Sequence, residues 1–124
     1  MSIEKVKTYF EKIGAKEKIL EFSVSSATVA LAAEALGCEP ERIAKSLTFK
    51  EGEQGCIMVV CAGDAKVDNA KFKATFGLKA KMPAFDEVEA LCGHAAGGVC
   101  PFDVNENVKV YLDISLKRFN TVFP

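Results

Sequence analysis

Few side chains in this sequence can act as acids, bases or nucleophiles, and several of them crowd into one stretch, Gly93 to Pro101. It holds the only histidine of the 124 residues, three of the nine glycines and Cys100, with Cys92 just ahead of it. An imidazole beside a thiol is the pairing a cysteine hydrolase uses, the base drawing a proton from the nucleophile. Such a pair must meet in space and needs a third group to orient the histidine, so sequence adjacency makes a weak case for His94 with Cys92 or Cys100. The run Ala95, Ala96, Gly97, Gly98 offers a second chemistry. With little or no side chain in the way, its main-chain N–H groups can approach a ligand closely. Pro101 fixes its own φ and drives Cys100 toward extended backbone, which stiffens the exit. A tight connector between two packed elements fits the same composition.

Elsewhere the candidates are isolated. Lys45 stands between a short helical segment and an amphipathic strand, where it either answers a helix dipole or presents a fixed cation to a carbonyl or phosphate oxygen. Asp64 and Asp68 read as structural, Asp68 as a helix cap, and Asp113 sits at a strand end. No Gly-x-Ser-x-Gly elbow, phosphate-binding loop or dinucleotide fingerprint is present. Five cysteines without a Cys-x-x-Cys pair, and a single histidine, supply no zinc site of usual spacing.

The elements that must position these groups follow from periodicity. Ser2 is placed to cap a helix with Ile3, Val6, Phe10 and Ile13 on one face, ended by Gly14. Residues 19–24 read as a strand, and 27–36 as a helix capped by Ser25 or Ser26 and closed by Gly37. Pro40 suits the first position of a short helix. Residues 45–50 alternate as a strand, and a turn at 51–55 leads to the continuous apolar run 56–61, expected to be a central strand covered on both faces. Asp68 caps a helix through Phe76, 79–82 is a short strand, 85–92 a helix, 108–113 a strand, 114–118 a turn or short helix, and 120–123 a last strand. The order predicts one α+β domain over 1–124, a mixed, mostly antiparallel sheet flanked by helices.

Composition narrows the function classes. Net charge is −1, so no global field pulls the chain toward nucleic acid. The amino terminus lacks the pattern of a signal peptide, no run reaches membrane-spanning length, and five unpaired cysteines fit a reducing cytosol. The basic residues are 14 Lys against two Arg, with Lys66, Lys71, Lys73, Lys79 and Lys81 close together. They form either a solvated face or an edge that tracks phosphates, and composition leaves both open.

Five stretches then carry a resemblance: residues 25–37, Ile-Ala-Lys-Ser-Leu (43–47), Val-Val-Cys-Ala-Gly-Asp (59–64), residues 93–102, and Val-Tyr-Leu-Asp-Ile-Ser-Leu-Lys-Arg-Phe (110–119). In this order and spacing the chain resembles the YbaK-type aminoacyl-tRNA deacylases, relatives of the editing insertion domain of bacterial prolyl-tRNA synthetase. The resemblance implies trans-editing: hydrolysis of the ester joining a wrong amino acid, small or thiol-bearing, to the 3′ end of a tRNA, commonly tRNA(Pro). It implies Lys45 as the catalytic lysine and Gly97, Gly98, Val99, Cys100 and Pro101 as the loop holding the aminoacyl end. It implies no metal, no other cofactor and no covalent protein intermediate. Ser26, Thr28 and His94 are expected at the substrate pocket, His94 at its edge or in a structural role. The implied partners are the acceptor end of aminoacyl-tRNA and prolyl-tRNA synthetase, in the cytoplasm. Family members usually continue past the position of Pro124 into a further strand and helix, so the sequence is expected to lack these. A non-catalytic module binding a small molecule or an acceptor stem through the same loop is the alternative. Oligomeric state is left open.

Overall fold

The computed structural model describes residues 3–124. A three-stranded sheet of order β1-β2-β3 organises them: β1 (Ala44–Glu51), β2 (Gly55–Ala62) and β3 (Val108–Leu112). β1 and β2 form an antiparallel hairpin with Lys45 opposite Cys61 and Phe49 opposite Ile57, while β3 runs parallel to β2 with Val59 beside Tyr111. The sheet is therefore mixed, with one pair of each kind. The apolar run of β2 is central as its composition requires: Cys56, Ile57 and Met58 are wholly buried.

Alternation divides β2 between two cores. Cys56, Met58 and Val60 point to one face, packed with Ala44, Val88, Leu91 and Cys92. The last three belong to α4 (Val88–Cys92), which follows a 3-10 turn at Phe85–Glu87. Ile57 points to the other face with Phe49 and with Phe72 of α3 (Asn69–Phe76). Asp68 caps α3, accepting from the Lys71 amide at 2.9 Å, and Gly77 closes it in the left-handed region. Helix α1 (Ile3–Lys12) packs its Phe10 ring edge-on to Phe102 at 4.7 Å, beyond the glycine-rich stretch. The Ser2 cap lies outside the described residues.

Three expected strands are absent as such. Residues 19–24 find no partner strand, and Leu20, Phe22 and Val24 remain exposed on an irregular segment, because alternation without a ladder to join fixes nothing. Residues 79–82 supply one backbone bond, Lys50 N–H to the Lys81 carbonyl at 2.8 Å. Residues 120–123 make a single parallel bridge, Phe123 beside Ile43. These two contacts lie at opposite ends of β1 and cover its outer edge there. Helix α2 (Val29–Leu36) begins two residues later than expected, with Thr28 rather than Ser25 or Ser26 as its cap. Its first turn uses the hydroxyl nearest the helical backbone, Thr28 Oγ1 accepting from the Leu31 amide at 3.1 Å. Among the described residues no helix is long and apolar enough to cross a membrane.

Phe72 meets both Phe49 and Phe76 at 4.7 Å between ring centres and is 4% exposed. Phe72→Ala is expected to cost about 3–5 kcal/mol in urea unfolding, as for a large ring removed from a packed core. A loss below 1 kcal/mol would show that α3 is not anchored by this ring.

Candidate active site

Lys45 owes its place to strand register. Opposite residues of an antiparallel pair share a face, so Lys45 lies with Cys61 on the side of the sheet that carries Phe49 and Ile57. Beyond Ala62 the chain turns at Gly63, whose carbonyl accepts a hydrogen bond from Lys45 Nζ at 3.3 Å. The lysine is half-buried, its ammonium held by a main-chain oxygen. Gly63 can stand here because it has no side chain. A Cβ would strike the Pro40 carbonyl oxygen, and would fall 2.9 Å from Val29 Cγ1 and 3.1 Å from the Ile43 oxygen. Three elements therefore converge on the residue that holds Lys45, among them the start of α2. Thr28 caps α2 one residue before Val29. Ser26 is exposed two residues earlier on the irregular segment.

The segment after β3 fastens the other side of this corner. The Asp113 N–H donates to the Val60 carbonyl at 2.8 Å, and Ser115 Oγ accepts from the Ala62 amide at 3.0 Å. Arg118 grips Asp64 with both prongs, Nη1 to Oδ2 at 3.1 Å and Nη2 to Oδ1 at 2.5 Å, while its Nε donates to the Ser115 carbonyl. An open cleft of about 450 Å³ lies between, lined by Asp64, Ala65, Asp113, Ile114, Ser115 and Arg118. Its two carboxylates are poor general acids or bases. The Arg118 hydrogen bonds hold the Asp64 carboxyl below its ordinary value, and the Ser115 hydroxyl and amide do the same for Asp113. Lys45 keeps spare donors. An ammonium has three N–H bonds, and one suffices for Gly63.

In the Gly93–Pro101 stretch the two chemistries separate. His94 is wholly buried, and its Nε2 donates to the Phe102 carbonyl at 2.7 Å. A carbonyl only accepts, so the ring proton is on Nε2, and the lone pair sits on Nδ1, a buried atom with no hydrogen-bond partner among the described residues. Cys100 Sγ lies 3.6 Å from Nε2, so imidazole and thiol do meet in space. The nitrogen that the thiol faces already carries a proton, and burial pushes the Cys100 thiol up from its ordinary value, as it pushes Cys56 up to about 11. A buried thiol beside a protonated nitrogen is no nucleophile.

Gly97 takes a positive φ of 89°, which turns the chain so that the Gly98 amide donates to the Ala95 carbonyl at 3.0 Å. The amides of Gly97, Val99 and Cys100 make no hydrogen bond within the described residues. Val99 and Ala96 pack on the core that contains Ala44, the residue before Lys45. No hydrogen bond joins the loop to Lys45 among the described residues. The loop packs on Ala44 from one face of the sheet, and Lys45, the next residue, lies on the other. Pro101 is half-buried and Cys100 buried. His94 stands beneath the loop, tying Phe102 down, rather than at a pocket edge.

These features define a small α+β domain with a lysine held at a strand end and a glycine-rich loop packed on the opposite face of the sheet. The sequence profile of the aminoacyl-tRNA editing domain matches residues 24–124, and the chain belongs to that family, whose activity is that of an aminoacyl-tRNA deacylase. YwhH of Bacillus subtilis (strain 168) is 52% identical over 125 residues, covering 100% of this chain and 79% of that protein. EbsC of Enterococcus faecalis (strain ATCC 700802 / V583), named as a candidate Cys-tRNA(Pro)/Cys-tRNA(Cys) deacylase, is 27% identical over 112 residues, covering 90% of this chain and 68% of that protein. The crystal structure of a candidate trans-editing enzyme for prolyl tRNA synthetase matches with a TM-score of 0.83 at 32% identity, covering 96% of this chain and 76% of that one.

Sequence reasoning passed over Gly63 and Arg118, which build the corner around Lys45. Their signals were present: Gly63 in the Val-Val-Cys-Ala-Gly-Asp stretch, and Arg118 as one of only two arginines. Gly63→Ala is expected to destabilise the fold by about 1–3 kcal/mol, read as a lower urea midpoint, because the added methyl overpacks the junction. An unshifted midpoint would mean the junction yields freely. Burial lowers the His94 pKa below 6.5 in the fold, whereas the unfolded chain takes up the proton near that value. Stability should therefore fall as pH drops below about 6.5. His94→Gln keeps a donor for Phe102 and should flatten that slope in unfolding measured from pH 7 to pH 5. An unchanged slope would assign the acid sensitivity to other groups.

Proposed function

We propose that this domain is a trans-editing hydrolase that clears a small or thiol-bearing amino acid from mischarged tRNA(Pro) in the cytoplasm, in company with prolyl-tRNA synthetase. Water adds to the ester carbonyl carbon, and the bond to the terminal ribose oxygen breaks. The free amino acid leaves with the proton balance passed to solvent, and the tRNA keeps its 3′-hydroxyl. Lys45 is the catalytic residue. Its ammonium stabilises the negative charge that develops on the carbonyl oxygen, at the moment when preorganised donors contribute most. The backbone of Gly97, Gly98, Val99 and Cys100 receives the aminoacyl end, and Pro101 stiffens that cradle. Thr28 and Ser26 stand at the wall, and a hydroxyl of the terminal ribose orients the attacking water. His94 acts through Phe102 as a positioning residue. The requirement for protein acids and bases is small, because orientation alone accounts for a large part of such a rate enhancement.

The observation that carries this reading is the Lys45 ammonium fixed at 3.3 Å by the Gly63 carbonyl in a chain of the editing-domain family. The names of EbsC and of the prolyl trans-editing structure support the choice of tRNA and amino acid. A pocket that excludes by size gains only ~1–3 kcal/mol per methylene, so some breadth of substrate is expected. The test is a panel of mischarged tRNAs. Wild-type protein should release the amino acid, and Lys45→Ala should slow release by about 10²–10³-fold with its unfolding midpoint nearly unchanged. Equal rates in the two proteins would remove Lys45 from the chemistry, and binding without turnover across the panel would make the domain a binding module.

A further inference from the structure

Between residues 65 and 81 the chain carries five lysines and one acidic residue, Asp68, although its net charge is −1. Asp68 is engaged as the α3 cap. Lys71, Lys73 and Lys79 are exposed, and none lies within salt-bridge distance of a carboxylate among the described residues. Clustered like charges repel, so a patch whose lysines form no salt bridge among the described residues favours a polyanion from outside.

The fold gives the patch a direction. Phe72 anchors α3 against Ile57 and Phe49, on the face of the sheet that Lys45 shares with Cys61. At 100° per residue, Lys71 and Lys73 project to the two flanks of the helix when Phe72 points inward. Lys71 is exposed on one flank of α3. Lys73 lies on the opposite flank, where it lines a second cleft of about 440 Å³ with Lys79, Ala80, Asn69 and Ala70. A positive track therefore runs across α3, away from the cleft beside Lys45. Ammonium groups on flexible stems are point charges, suited to a sugar–phosphate backbone rather than to base edges.

Resting on the deacylase reading, we propose that Lys71, Lys73 and Lys79 form the track on which the phosphate backbone of the tRNA acceptor stem lies while its 3′ end reaches Lys45.

The test is equilibrium binding of an uncharged RNA hairpin carrying a tRNA(Pro) acceptor stem, followed over a salt series, and it needs no hydrolysis. Lys73→Glu with Lys79→Glu should weaken binding roughly tenfold or more and reduce the slope of log K against log salt by about 2. Reversing Lys16 and Lys18, in the 3-10 turn after α1, should leave both quantities near wild type. Deacylation by the α3 variant should show a raised KM with a much smaller change in kcat. The inference is overturned if the wild-type protein does not bind the hairpin, if the α3 variant binds as tightly as wild type, or if the Lys16 and Lys18 reversal weakens binding equally. Wild-type protein that binds the hairpin in this pattern but hydrolyses no mischarged tRNA would defeat the deacylase reading and leave the track standing.

Discussion

The antiparallel pairing that sets Lys45 opposite Cys61 fixes which side of the sheet the ammonium occupies. With a side-chain period of two, a slip of one residue between β1 and β2 would turn both Lys45 and Phe49 into the core that packs on Val88 and Leu91. Burying an unpaired ammonium there is costly, and so is forcing a ring into a core that is already filled. The hydrophobic pattern that holds the hairpin in register therefore also aims the cation. Gly63 completes the arrangement by bringing a carbonyl to Nζ and letting α2 close behind it.

Much of this was legible in the chain. The continuous apolar run 56–61 announces a central strand, Asp68 and Gly77 bracket α3, and Lys45 stands out at a strand start. What could not be read is what depends on partners distant in sequence. Residues 19–24 alternate as a strand should, yet no ladder receives them. Ser25, Ser26 and Thr28 are all plausible caps by composition, and only the exact start of α2 selects Thr28. The Arg118 grip on Asp64 spans 54 positions, a distance at which local pattern carries no information.

The histidine illustrates the same limit from the other side. His94 and Cys100 look like a catalytic pair on paper, and they approach to 3.6 Å in the fold. Proximity does not decide the matter; the proton does. The Phe102 carbonyl claims it, burial keeps the thiol neutral, and the pair becomes part of the seat on which the glycine loop rests.

The connectivity of the corner also orders its assembly. Lys45 and Gly63 lie 18 positions apart in one hairpin, a contact with a small loop-closure cost. Ser115 reaches Ala62 across 53 positions, and β3 joins β2 in parallel only after the whole α3–α4 crossover has been placed. Local hairpins form in microseconds, whereas long-range parallel pairing is intrinsically slow. The lysine and its carbonyl thus belong to the early part of the folding sequence, and the Asp113–Arg118 segment to the late part. A nascent chain holds its future cation in place before the cleft beside it exists.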